Sequence, residues 1–420
     1  MTHSIKIPIN IAKSQGGYTL QLFVGSQQAA VDVIIDTGSS TLAIKQSSYK
    51  PNEDTYLAAT SIAQDVTYGA GGWAGPVIHT QIELTHLVDD SHHPLSLTDA
   101  PISIIYDEPE DNFKNVDGIW GLAYHHLNRG YDLISHFKEK QINPQTTYPW
   151  TFEINDDIGG IKGFKKFLSG FPEKDITPLF TELEQQGVVQ NKFGLLTHRA
   201  VVHVAKKGMS LEQQLQDPLN QGFFIIGNAH KHNELHSGRM QSIQVFHDAY
   251  YNTNLISVQV QGFDPFLAPA LEQNHLKSAF TNSIIDSGSS YLMLQADIYQ
   301  YVIDCLNKIN PKLAPHIGLF DEARKNNKAY IPTDFNLSEW PILYFNFEGI
   351  HKEEVKVCSH PANYWQQNTL GPGQLFCTLL KQIPGWPNQS VIGLPLMNNY
   401  YCIFDRSVNA NGVIHFAEKK

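Results

Sequence analysis

Cysteine is scarce in this chain: four residues among 420, at positions 305, 358, 377 and 402. That is too few for a disulfide scaffold, and no CxxC spacing suggests a zinc or thioredoxin-like redox site. Cys358 and Cys377 could close a loop across the turn-rich stretch between them, but ordinary buried thiols are the expectation. Charge is sparse too. Charged residues make up 17%, and 30 Lys+Arg against 41 Asp+Glu leave a net charge of −11. No long basic run exists to hold phosphates, which excludes a nucleic-acid role. No stretch reaches about 18 consecutive apolar residues, so no membrane-spanning helix is expected. The opening MTHSIKIPINIAKSQGGYTLQLFVG has no continuous apolar run of the kind a signal peptide needs and alternates as a strand does. The expectation is a protein kept in the cytoplasm.

What is abundant points to β-structure. The chain holds 30 Gly, 22 Pro, 18 Tyr and 22 Phe, with 42% hydrophobic residues, a mix that suits pleated, packed sheets and not helical bundles or disordered chains. Its length corresponds to about two or three domains. Period-two runs broken by Gly, Asn and Pro recur at residues 18–24 (YTLQLFV), 31–35, 78–84 (IHTQIEL), 256–260 (ISVQV) and 343–347 (LYFNF). Helical periodicity is confined to residues 133–140, 177–186 and 294–309. An all-β body with a few short helices follows.

An internal repeat organises the chain. Residues 33–40 read VIIDTGSS and residues 283–290 read SIIDSGSS; each is followed downstream by an apolar-apolar-Gly triplet, Ile119-Trp120-Gly121 and Val391-Ile392-Gly393. In each copy β-branched residues make a buried strand, and the Asp ends it in a Gly-bearing turn whose N–H groups and hydroxyls can donate to the carboxylate. One copy could be a plain turn. Two copies suggest two-fold halves in which Asp36 and Asp286 meet, share one proton and serve together as acid and base.

On these motifs the chain resembles the pepsin family of aspartic proteases (A1). The likeness extends over nearly the whole length: DTGSS at Asp36, Tyr68-Gly69-Ala70-Gly71, VDGIWGLAY at 116–124, DSGSS at Asp286 and YYCIFDRSVNANGVIHFA at 400–417. The resemblance implies a bilobal double β-barrel with the active site between pseudo-two-fold-related lobes. The expected lobes are 1–220, with Asp36, the flap and an extra stretch at about 125–175, and 221–420, with Asp286, joined through 221–245.

It implies further that Asp36 and Asp286 hold the attacking water, supported by Thr37, Gly38, Ser39, Ser287, Gly288 and Ser289, with Ser39 and Ser289 bonding the outer carboxylate oxygens. Tyr68, Gly69 and Gly71 would belong to a flap that closes over substrate; Ile34, Ile119 and Tyr291 would line subsites for bulky apolar residues. The implied activity is endopeptidase cleavage of protein or peptide substrates, acidic in optimum and sensitive to pepstatin, by a monomer without cofactor or metal. An inactive binding or inhibitor-type protein on the same scaffold is the alternative.

Departures from the family pattern are informative. Ala43 stands where an aromatic Trp usually bonds the flap tyrosine, and Trp73 is a candidate to compensate. The usual disulfides are largely missing, Thr333 standing where a partner for Cys377 is expected. These losses resemble bacterial, cytoplasmic pepsin homologues. Gly69 to Ala74 also fits GxGxxA, but an alternating strand follows it and not a helix, which excludes a dinucleotide loop. The run HKHNELH at 230–236 lacks HExxH order and reads as a solvated loop.

Overall fold

The computed structural model describes residues 4–68, 71–84, 95–106, 108, 113, 115–154 and 160–420. Two compact units are present: Thr19–Val188, and Met1–Tyr18 together with Val189–Lys420. The expected boundary at 220 is therefore displaced. The reason is strand pairing: Ser4–Asn10 runs antiparallel to Gln221–Gly227, which on its other edge pairs with Lys192–Leu196. Residues on both sides of 220 are thus paired strand to strand within one unit.

The 19–188 unit is built on a closed six-stranded barrel. Thr19–Val24 pairs with Ala29–Asp36 and, on its other edge, with Gly71–Leu84. The ring is completed through Leu95–Ile105, Leu42–Lys45 and Gly118–Gly121. Closure leaves no free sheet edge in this ring. Val31, Val33 and Ile35 are buried along the strand that ends in Asp36, as the β-branched run predicts.

In the larger unit, six antiparallel strands run in the order Ser4–Asn10, Gln221–Gly227, Lys192–Leu196, Tyr400–Asp405, Val413–Lys419, His236–Gln244. Phe193 stacks on Phe404 with ring centroids 4.9 Å apart, and the Tyr251 ring meets Phe404 edge-on at 4.6 Å. A five-stranded sheet carries Ser283–Ile285, and a four-stranded sheet contains Leu255–Val260 and Leu343–Glu348.

The three expected helices form, as Ile134–Glu139, Leu179–Gln185 and Ala296–Ile309. The last buries Ile298, Val302, Cys305 and Leu306 on one face, with Asp297 in its first turn and Lys308 in its last, both favourable to the helix dipole. Leu313–Lys325 is a further helix, obscured in the sequence by Pro315 and Gly318. Pro315 lies in its first turn, where the missing N–H costs nothing. All four cysteines are free thiols, and burial raises the pKa of each. Among the described residues no helix is long and apolar enough to cross a membrane.

One half-buried imidazole makes stability depend on pH. His198 lies 3.1 Å from the Lys419 ammonium, through Nδ1. Burial, reinforced by that charge, lowers its pKa from 6.5 to about 4. The unfolded chain therefore takes up a proton at this residue below pH 6.5 that the folded chain refuses until about pH 4. Stability is lost as pH falls through that window. A His198→Gln variant is expected to show a shallower fall of Tm between pH 6.5 and 4 than the wild type, measured by differential scanning fluorimetry; parallel curves would contradict this.

Candidate active site

The two halves of the repeat fold alike, each within its own unit. Around Asp36 the strand order is Thr19–Val24, Ala29–Asp36, Gly118–Gly121, Leu42–Lys45, Leu95–Ile105, with successive pairings antiparallel, parallel, antiparallel, parallel. Around Asp286 it is Asn252–Thr253, Ser283–Ile285, Ser390–Ile392, Leu292–Leu294, Leu379–Lys381, with the same alternation. Each Asp thus follows a strand laid parallel to its apolar-apolar-Gly strand. Ile34 stands opposite Ile119 and Asp36 opposite Gly121; Ile284 stands opposite Val391.

Those glycines are required by space. A Cβ on Gly121 would lie 2.4 Å from the Ser40 nitrogen and 2.5 Å from the Ser39 carbonyl; one on Gly393 would lie 2.2 Å from the Ser289 oxygen and 2.5 Å from that of Tyr291. The close approach lets backbone tie down each turn. Gly121 N–H donates to Thr41 O at 2.9 Å, Leu122 N–H to Asp36 O at 2.6 Å and Ala123 N–H to Ser39 O at 2.7 Å. In the other unit Gly393 N–H donates to Tyr291 O at 3.0 Å and Leu394 N–H to Ser289 O at 2.9 Å.

The carboxylates are held from their own turns. Gly38 N–H donates to Asp36 Oδ1 at 2.7 Å and Gly288 N–H to Asp286 Oδ1 at 2.8 Å. Ser39 Oγ donates to Asp36 Oδ2 at 2.5 Å, as expected. Ser289 Oγ instead lies 3.3 Å from the Tyr291 carbonyl, a long bond, so the two turns differ at this hydroxyl. Asp36 is buried and Asp286 half-buried, while the Thr37 and Ser287 side chains are buried.

In the same unit as Asp36, strands Ala58–Tyr68 and Gly71–Leu84 form the expected hairpin, Tyr68 in register with Gly71. Gly69 lies outside the described residues. Period-two alternation gives the hairpin two working faces. Val66 and Trp73 turn to an apolar cluster with Ala43, Ile105, Phe113, Val116, Ile119 and Ile34. Trp73 is fully buried there, in the same cluster as the small Ala43. Ile119 is itself buried and Ile34 half-buried in this cluster. Tyr291 is half-buried, its ring 5.6 Å from Phe376, and burial raises its phenol pKa.

Ala63 and Ala74, on the opposite face, pack with Leu133, Phe137, Phe164 and Leu168, all from the extra stretch. Trp150, Phe152, Phe167 and Phe171 surround them. This stretch is therefore more than surface decoration: it is a small aromatic core seated on the hairpin. Lys165, on the helix Gly160–Leu168, adds an ion pair at 3.6 Å to the buried Asp65 of the hairpin.

A buried polar network, missed in the sequence because its members are unremarkable singly, joins the Asp36 turn to the hairpin. Thr41 Oγ1 donates to Asn128 Oδ1 at 2.8 Å, Gln64 Nε2 donates to the same oxygen at 2.9 Å, and Ser103 Oγ donates to Gln64 Oε1 at 2.5 Å. All four residues are buried, where unpaired polar groups would be costly. Among the described residues, the one group of three or more side chains suited to a metal is His230, Asp405 and His415, which includes neither Asp36 nor Asp286.

Comparison with known proteins agrees with this architecture. The eukaryotic aspartyl protease family model matches residues 17–148, and the xylanase inhibitor C-terminal model matches residues 250–417. A beta-secretase of Strongylocentrotus purpuratus is 20% identical over 408 residues, covering 93% of this chain and 64% of that protein. The chain thus spans just under two thirds of that relative's length. With two matched halves, each carrying its D-[TS]-G turn on the same strand motif, the chain belongs to the pepsin family of aspartic proteases.

The Trp73 packing yields a stability prediction. Trp73→Ala is expected to cost about 3–5 kcal/mol, the usual range for emptying a buried aromatic site. Thermal denaturation checks this; an unchanged Tm would mean that the indole does not hold the hairpin on the Ala43 cluster.

Proposed function

We propose that this chain is an aspartic endopeptidase in which Asp36 and Asp286 act on one water. The observation that carries the reading is the duplicated turn: each aspartate ends a buried strand, accepts its own Gly N–H and rests on a Gly-anchored strand laid parallel to it. Such a carboxylate is fixed before substrate arrives, which is what proton transfer in a transition state requires. One carboxylate takes the proton of the water as it attacks the peptide carbonyl. The other protonates the developing oxyanion, and the proton then passes to the leaving amine as the C–N bond breaks. No bond to the enzyme forms.

An acidic working range follows from the need for one of the two carboxyls to be protonated. The hairpin ending at Tyr68 serves as the flap, and Ile34, Ile119 and Tyr291 shape subsites for bulky apolar side chains on substrate. Four free thiols support a reducing compartment as the working location.

A second reading has one observation in its favour: the family model over residues 250–417 is named for xylanase inhibitors. On it, the chain binds a protein partner without cleaving it. Digestion of casein across about pH 3 to 7 separates the two. The protease reading predicts cleavage that a pepstatin-type statine blocks and that Asp36→Asn or Asp286→Asn lowers by about 10²–10⁴-fold or more, with Tm retained. Casein left intact by the wild type at every pH, or cut equally well by the folded Asp286→Asn protein, would overturn it.

A further inference from the structure

The run at 230–236 is only partly the solvated loop that its composition suggests. Leu235 is buried, and the His236 ring stacks on Tyr401 with centroids 5.7 Å apart. Both His236 ring nitrogens are shut off from solvent and lack a hydrogen-bond partner among the described residues. His230 sits on the short turn Ala229–Lys231, with its ring edge-on to that of His415 at 5.0 Å. These residues and those below all belong to the unit formed by Met1–Tyr18 and Val189–Lys420.

Three donors converge here. Asp405 closes the strand Tyr400–Asp405 and is buried; His415 lies on the neighbouring strand. Asp405 is in register with Val413, so His415 is its diagonal neighbour on the same sheet face. The ligand atoms of His230, Asp405 and His415 all lie within 4.8 Å of one another, and His230 Nδ1 is 3.9 Å from Asp405 Oδ2.

The surroundings suit a ligand set. Ser242, directly across the sheet from His415, has its Oγ 2.8 Å from His415 Nδ1. With the Nδ1 proton given to that oxygen, Nε2 keeps its lone pair for the cluster, the arrangement that orients metal-binding histidines. Asp405 Oδ1 accepts from Ser407 N–H at 3.0 Å and from Ser407 Oγ at 2.5 Å, which fixes the carboxylate plane. Burial lowers the pKa of both rings, that of His415 to about 4. Burial alone would raise Asp405, but donors from Lys192 and Ser407 outweigh it and keep the carboxylate ionised.

We propose that His230, Asp405 and His415 form a binding site for a transition-metal dication, with Zn²⁺ the best match to two imidazoles and a carboxylate. Bond lengths of about 2.0–2.2 Å require the three donors to draw together. His230, on its half-exposed turn, is the one free to move. Lys192 Nζ lies 2.8 Å from Asp405 Oδ2 and occupies the place of the cation. Metal and ammonium compete for that oxygen, so Lys192 must swing aside as the metal binds. Metal would then clamp the Ala229–Lys231 turn to the C-terminal strand pair.

The test is isothermal titration of ZnCl₂ at pH 7 into the full chain, free of any polyhistidine tag. The wild type is expected to bind one Zn²⁺ at this site. His230→Ala and His415→Gln should each weaken that binding by about tenfold or more, and Lys192→Met should tighten it. His230 is half-exposed, so His230→Ala retains the fold and remains decisive even where the more buried His415 does not tolerate change. The same Zn²⁺ isotherm in the wild type and in folded His230→Ala would overturn the proposal.

Discussion

Everything near the two aspartates depends on how closely one backbone passes beneath another. At Gly121 the chain lies so near Ser39 and Ser40 that no Cβ fits, and at Gly393 it lies as near Ser289 and Tyr291. Only at that separation can the turn after each Asp receive hydrogen bonds from the strand below. Without them a D-[TS]-G turn would be held by local bonds alone, and local bonds between turn residues are weak competitors of solvent. The parallel pairing of Asp strand and Gly strand sets this spacing in both units, which is why the same alternation of pairings recurs around Asp36 and Asp286.

In the Asp36 half the hairpin is packed on both faces. One face of the hairpin places Trp73 against Ala43 and Ile119, and the other seats the aromatic core of the extra stretch. The hairpin is thus packed on both faces close to the Tyr68–Gly71 pair.

Much of this was legible in the sequence because it is local. The VIIDTGSS and SIIDSGSS repeats, the apolar-apolar-Gly triplets and the alternating strands each declare themselves within a few residues. What escaped is set by pairing between distant segments. Ser4–Asn10 joins the unit of residues 189–420 because its partner is Gln221–Gly227. Gln64, Ser103 and Asn128 are ordinary polar residues until folding buries them around Thr41. His230 acquires Asp405 and His415 only because Val413–Lys419 returns beside Tyr400–Asp405. The helix Leu313–Lys325 was hidden by a proline whose position, not its presence, decides its effect.

The proposed mechanism requires Asp36 and Asp286 to act on one water. A crystal structure of the protein with a statine-type inhibitor tests this most directly, since the inhibitor's hydroxyl stands in for the tetrahedral intermediate. The account predicts that this one hydroxyl lies within hydrogen-bond distance of both carboxylates. A hydroxyl held by only one of them, with the other aspartate directed elsewhere, would contradict it.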